Sequence, residues 1–389
     1  MSIAAKEPAA GAGDGASDLG HAQRQHTGIL PCQGIEALLR GGEIAVAEPV
    51  VEGQIQPSSL DLRLGDIAYR VQASFLPGAG CAVSDKIARF TMHAVDLSRG
   101  AVLERGCVYI VPLLESLHLP DRLAAIANPK SSTGRLDVFT RLIVDGAMEF
   151  DRVPAGYRGP LYAEIAPRTF SILVHKGSRL NQLRLRRGEH GLSDGELRRL
   201  HERTPLVHAA PGEENIAGGI ALTVDLEGAD GRGLIGYKAR QHTALIDIGR
   251  VGHYDPLEFW EPIHARQHGQ GLILNPDDFY ILASREAVTV PPDHAAEMVA
   301  YDTLVGEFRV HYAGFFDPGF GWAEAGGAGT KAVLEVRSHD VPFLLEHGQT
   351  VGRLVYERLT DTPDRIYGRD IGSNYQQQGL ALAKQFRAD

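Results

Sequence analysis

"LYAEIAPRTFSILVHKGSRLNQLRL" (residues 161–185) and "AVLEVRSHDVPFLLEHGQTVGRLVYERL" (residues 332–359) decide how the rest of this 389-residue chain is read. Both are strand-length apolar runs broken by turn residues. Glu164 to Glu335, Gly177 to Gly348 and Leu183 to Leu354 are each 171 residues apart. A constant offset over three landmarks is hard to obtain by chance. A further echo joins "LPDRLAAIANP" near 119 to "VPPDHAAEMVAYD" near 290. The chain therefore reads as two copies of one domain, a tandem duplication and not a solenoid.

Between these landmarks, "CVYIVPLLE", "RLIVDGAMEF", "FSILVH" and "RLNQLRL" are rich in β-branched or aromatic residues and bounded by turn signals. Helical periodicity is weaker: "GIEALLRGG", closed by glycine, and "SDGELRRLHER" are the clearest cases. The fold class expected is mainly β with a few short helices. The boundaries expected are a disordered tail at 1–30, a first domain at 31–188, a polar, proline-broken linker at 189–215, a second domain at 216–360 and a closing tail at 361–389.

Hydrophobic residues make up 43% and charged residues 23%, as in a globular protein with ample core. The net charge of −10 argues against general nucleic-acid binding, which needs a basic footprint. It leaves room for a small anionic ligand held by a few local Lys or Arg. No apolar run of about 18 residues suggests a membrane span, and the first 27 residues lack the apolar core of a secretory signal. Three cysteines without a C-x-x-C are too few for a disulfide framework and fit a reducing cytoplasm.

Chemistry gathers in "NPKSSTGRLDVF" (128–139). Taken alone it reads as a plain turn. It also sets Lys130 and Arg135 around the hydroxyls of Ser131 and Ser132, an arrangement suited to phosphate oxygens. Glu164 stands in an alternating apolar strand on the face of Tyr162, opposite Leu161, Ala163 and Ile165. A surface glutamate is the ordinary reading there. A partly enclosed one beside a loop is a candidate general base. "EGQIQPSSLDLRLGD" (52–66) reads as a turn followed by an amphipathic edge strand with an internal charge pair.

In order along the chain, "QIQPSSLDLRLG", "LPDRLAAIANPKSSTGRLDVF", "YRGPLYAEI" and "KGSRLNQLRL", with "YQQQG" near the C-terminus, resemble the 2′-deoxycytidine 5′-triphosphate deaminases of the trimeric dUTPase-like superfamily. The likeness is good over roughly 35–187 and looser in the second copy, so the chain looks like a duplicated long form. The resemblance implies two tandem dUTPase-like distorted β-barrel or jelly-roll domains. It implies hydrolytic deamination of dCTP to dUTP and ammonia, with Glu164 as the catalytic base. It further implies substrate contacts from Lys130, Ser131, Ser132, Arg135, Asp151, Tyr162 and Gln182, and from Tyr367, Gln377 and Gln378 of a tail closing over the nucleotide.

Mg²⁺ is implied as a passenger on the triphosphate, with no metal held by the protein alone. A zinc-activated water is not expected, because the zinc deaminases carry P-C-x-x-C. The resemblance brings a homo-oligomer with sites at subunit or domain interfaces, and dTTP as a candidate inhibitor. Two other readings stand beside it: a dUTP diphosphatase or bifunctional enzyme using Asp145 of "VDG", and a non-catalytic nucleotide-binding regulator.

Departures from the pattern are specific. The acidic turn "DGAMEFDRVPAGYRG", where Asp151 fits, is long, and Glu149 stands where a basic residue is common. The second copy has a better match in "FFDPGF", with Asp317. It also has "YDTLVGEF" in place of "PKSSTGRL", with Glu307 at the arginine position. A degenerate second site is expected. So is the option of a mixed site, completed across the domains by Asp317 or Glu335.

Overall fold

The structure, a computed structural model, describes residues 27–208, 214–228, 233–265, 271–300, 308–310, 314–325, 329–338, 340–368 and 379–388. The duplication is visible in the strand order. In the first copy Arg158–Pro167 lies between Val108–His118 and Val138–Val144. In the second, Thr330–Ser338 lies between Phe279–Val288 and Phe308–Val310. The opposing sheets match too. Arg179–Arg187 pairs with Leu123–Pro129 and Leu60–Arg63, as Thr350–Arg358 pairs with His294–Ala300 and Ile220–Thr223. Leu123 to His294, Val108 to Phe279 and Arg179 to Thr350 repeat the 171-residue spacing.

Alternating runs put one face of each strand inward. The first copy buries Leu60, Leu62, Ile110, Leu161 and Leu183 in one cluster, and the second buries Leu222, Leu282, Leu334 and Leu354 in another. A third cluster draws on both. Tyr109, Val138, Ile165 and Phe170 of the first copy meet Phe259, Trp260, Phe279 and Val333 of the second. A short strand bond reinforces the seam, Ile172–Val174 running parallel to Ile246–Asp247. The seam also carries charge: Arg184, fully buried, bonds Glu357 Oε2 at 2.9 Å and the Ala296 carbonyl at 3.1 Å across the copies.

Two helices fall where the pattern places them. Cys32–Gly41 ends in Gly42 at φ +83°, a left-handed cap that glycine adopts without a Cβ penalty. Asp194–Arg203 starts from a reciprocal capping box of Ser193 and Glu196. That second helix lies inside the stretch read as a polar, proline-broken linker at 189–215. Leu197, Leu200, Leu206 and Val207 sit in the second copy's core, so this stretch packs as part of that copy.

The reading of Leu60–Arg63 is corrected. It is buried along its whole length, and its charges pair elsewhere: Lys130 Nζ meets Asp61 Oδ2 at 2.5 Å, and Arg63 Nε meets Glu115 Oε1 at 2.7 Å.

Candidate active site

Where the copies meet, a cavity of about 480 Å³ opens. One wall is the loop of the first copy. Lys130 N–H bonds the Leu180 carbonyl, and a single helical turn, Ser131–Gly134, follows, closed by the Arg135 N–H on Ser131 O. This turn presents Lys130, Ser131, Ser132 and Arg135 together, and Gln182 comes from the adjacent strand. These five lie together as the sequence suggested.

The facing wall is the second copy. It contributes Glu335, Asp317, Phe316 and Gly314, and Tyr367 lies beside them. The approach is close: a Cβ on Gly314 would stand 3.9 Å from Ser131 Oγ. Arg135 Nε lies 3.8 Å from Glu335 Oε1, with both side chains almost wholly enclosed. Burial pushes the Glu335 carboxyl up to about 8, with Arg135 pulling in the opposite direction. Asp317 is also held above the usual carboxylate range by burial; Arg184 and Ser58, whose Oγ donates to Asp317 Oδ1 at 2.7 Å, oppose the shift.

The cavity is locally cationic in an acidic chain. Lys130, Arg135, Arg179, Arg365 and Lys384 line it against Glu52, Asp61, Asp317 and Glu335. Asp61 is already engaged by Lys130 and Arg179, and burial favours the neutral form of the two carboxyls from the second copy. Burial, followed by the charges of Lys130 and Arg179, holds the Lys384 amine below its usual value. Such a group gains when a polyanion arrives.

Three of the residues implied by the resemblance lie elsewhere. Glu164 is buried against Arg141, whose Nε donates to Glu164 Oε1 at 3.1 Å and whose guanidinium stacks 3.5 Å from the Phe150 ring centroid. The cavity wall includes neither Glu164 nor Tyr162, which packs in the first copy's core. Asp151, at φ +63°, accepts the Leu142 N–H at 2.7 Å and shapes its own turn; burial raises its carboxyl to about 7. Within this chain the structure thus brings the loop to Glu335 and not to Glu164.

The turns of the two copies can be compared directly. Tyr157 N–H bonds Pro154 O and Leu119 N–H bonds Tyr157 O; Phe320 N–H bonds Asp317 O and Val290 N–H bonds Phe320 O. Asp317 therefore stands where the first copy has Pro154, and Asp151 is not its counterpart. Gln377 and Gln378, and Thr303 and Glu307 of the second loop, lie outside the described residues.

The end of the tail is not a frayed terminus. Ala383 and Phe386 pack with Trp260, Phe259 and Tyr254, and Arg135 Nη1 donates to the Ala381 carbonyl at 3.1 Å. Arg179, Arg365 and Lys384 were not singled out in the sequence. Arg179 stands in "KGSRLNQLRL" and both Arg365 and Lys384 stand in the closing tail at 361–389, but only the fold shows that they converge.

Residues 26–189 match the 2′-deoxycytidine 5′-triphosphate deaminase (DCD) N-terminal domain, and residues 193–386 match the C-terminal domain of the same enzymes. The chain belongs to the dCTP deaminase family. A crystal structure of 2′-deoxycytidine 5′-triphosphate deaminase from Agrobacterium tumefaciens is 58% identical, covering 87% of this chain and 100% of that one, with a TM-score of 0.82. Curated relatives carrying the description "dCTP deaminase, dUMP-forming" include one from Halobacterium salinarum, 34% identical over 127 residues, and one from Mycobacterium avium, 30% identical over 135 residues. The chain spans 60% of the length of the first and 67% of the second, while those matches cover 32% and 33% of this chain. The fold is thus that of the dCTP deaminases, two dUTPase-like β domains, and the family's N- and C-terminal matches divide the chain close to the boundary between the copies.

Proposed function

We propose that this chain hydrolyses dCTP to dUTP and ammonia in the cavity between its two copies, with Glu335 as the general base. The observation carrying this reading is the placement of Glu335 against Arg135 and the serine loop in an enclosed, cationic cavity. The ionised Glu335 takes a proton from a water, and the resulting hydroxide adds to C4 of the cytosine. That proton passes to the exocyclic nitrogen as the C4–N bond breaks, and the proton of the added hydroxyl moves to N3, leaving the C4 carbonyl of uracil and ammonia. Such general-base help is worth roughly 10²- to 10⁴-fold. Arg135 and Ser131 stabilise charge developing in the tetrahedral state.

Lys130, Ser132, Arg179 and Lys384 take the triphosphate, and Gln182 and Tyr367 contact the nucleotide. Phe316 and Phe320, in edge-on contact with centroids 5.0 Å apart, form an apolar wall beside Asp317. Among the described residues no group of three or more His, Cys, Asp or Glu is placed to hold a metal ion. The proposal takes Mg²⁺ as a passenger that screens the phosphates, its ligands coming from the nucleotide. A cytoplasmic, homo-oligomeric enzyme without zinc, inhibited by dTTP, completes the proposal. No helix among the described residues is long and apolar enough to cross a membrane.

Asp145 does not support the diphosphatase reading in this cavity. It accepts the Val83 N–H at 2.7 Å and lines a different surface hollow. The test is product analysis with dCTP in the presence of a zinc chelator and excess Mg²⁺. dUTP with equimolar ammonia is expected. dUMP with diphosphate would indicate the bifunctional enzyme, and no turnover would indicate a binding protein.

A further inference from the structure

Asp137 lies two residues beyond Arg135, and Arg337 two residues beyond Glu335. Strand alternation puts Arg337 on the same face of Thr330–Ser338 as Glu335. Across the seam the Arg337 guanidinium engages Asp137 through both Nη2 and Nε, the latter 3.4 Å from Oδ1. Its Nη2 also donates to Thr169 Oγ1 at 2.8 Å, and its Nη1 donates to the Asp277 carbonyl at 2.6 Å. Thr169 Oγ1 in turn donates to Asp137 Oδ2 at 2.5 Å. Both charged residues are buried, and neither lines the cavity.

Two further facts single out this pair. Asp137 sits at φ +54°, a left-handed backbone uncommon for a residue with a side chain. Residues held this way persist where the surroundings over-determine them. The pair is also not a repeated feature of the domain. At the 171-residue offset Arg337 corresponds to Ala166, so the first copy has no arginine at the matching place on its strand. Among the described residues it joins the loop of the first copy to the Glu335 strand of the second.

We propose that Asp137 and Arg337 are a positioning pair that fixes the catalytic loop of the first copy against the Glu335 strand of the second. The inference rests on reading this cavity as the deamination site. Arg337 ties down the strand two residues from Glu335, and Asp137 ties down the turn two residues from Arg135. The 3.8 Å approach of Arg135 to Glu335 is set between them. Loosening this link shifts the base relative to the loop without removing any group that touches the nucleotide.

The test uses the full chain with Asp137→Gly and Arg337→Met combined. Glycine suits the backbone at 137, and removing both charges leaves no lone buried ion. The expected result is kcat for dCTP deamination lowered about 10- to 100-fold, as a displacement of about 1 Å at a reacting group does, with KM within about threefold. Arg337→Lys, which keeps the charge and loses the fork, gives a smaller loss of the same kind and serves alone if the double variant does not fold.

A readout independent of turnover is the infrared band of the protonated Glu335 carboxyl, identified by difference from Glu335→Gln. Its midpoint is expected near 8 in the native protein and at lower pH in the variants, because a looser seam admits water. A kcat within twofold of native in the folded variant, or a loss confined to KM, would overturn the proposal. So would an unmoved carboxyl midpoint, even if the native protein proved inactive on dCTP; that inactivity alone would count against the deaminase reading instead.

Discussion

Replacing Glu335 by glutamine keeps the shape of the side chain and removes its ability to take a proton. The structure gives two magnitudes. If Glu335 is the base, turnover falls by the general-base contribution, roughly 10²- to 10⁴-fold, which is about 3–5 kcal/mol of transition-state stabilisation. Stability moves the other way. Raising the carboxyl from its usual 4.5 to about 8 corresponds to roughly 5 kcal/mol disfavouring the ionised form in the folded chain, at 1.36 kcal/mol per tenfold. A raised acid stabilises the fold fully below pH 4.5, and that contribution drains away as pH rises through about 8. Native protein should therefore lose stability across this window, and the glutamine variant should lack that slope. The assays are ammonia release from dCTP and urea unfolding, each from pH 5 to 9. In native protein kcat/KM should climb towards a limb near pH 8. Turnover within threefold of native in Glu335→Gln, or the same pH slope of stability in both proteins, would refute the assignment.

Glu164→Gln should leave kcat within about threefold of native, and a collapse like that of Glu335→Gln would return the base to the first copy. Arg135→Ala should lower kcat about 100-fold or more, since it removes charge from the side of Glu335 and a donor from the loop, as steady-state kinetics will show. Lys384→Ala should raise KM for dCTP ten- to a hundredfold, the range of a charge-assisted hydrogen bond of about 1.5–3 kcal/mol, and should flatten the dependence of KM on salt. Phe386→Ala should cost about 3–5 kcal/mol in denaturant unfolding, because the ring fills a buried aromatic cluster; no change would mean the tail end is ornamental.

The duplication and the serine loop were legible because both are local. Strand periodicity, turn residues and a fixed spacing survive in one dimension, and "PKSSTGRL" keeps its cations and hydroxyls within six residues. The partner of the loop was legible only as an option, a mixed site completed by Asp317 or Glu335 beside the Glu164 reading. Glu164 and Glu335 occupy equivalent places in equivalent strands, and nothing in either strand says which faces the loop. That choice depends on how the copies dock, through Arg184, Glu357 and the shared aromatic core. The placement of Asp151 away from the cavity was hidden for a related reason. The first copy's turn carries an aspartate near the expected place, but only hydrogen-bond register shows that Pro154 holds the matching position. Lys384 was obscured by distance, since it stands about 250 residues from Lys130 in sequence and beside it in space.

A cavity whose loop and carboxylate belong to one polypeptide has a consequence for genetics. Where two subunits share a site, a cell carrying a loop-defective allele and a base-defective allele can regain function, because mixed assemblies bring an intact loop to an intact base. Here every chain carries its own pair joined in cis. Mixing Arg135→Ala protein with Glu335→Gln protein should restore nothing, since each cavity keeps whichever defect its own chain encodes. The covalent link also acts as a high effective concentration of one wall for the other, so the walls stay together however dilute the protein becomes. On the proposed reading, fusing the copies trades the reassortment open to a shared site for a unit inherited whole, and both walls must pass through selection together.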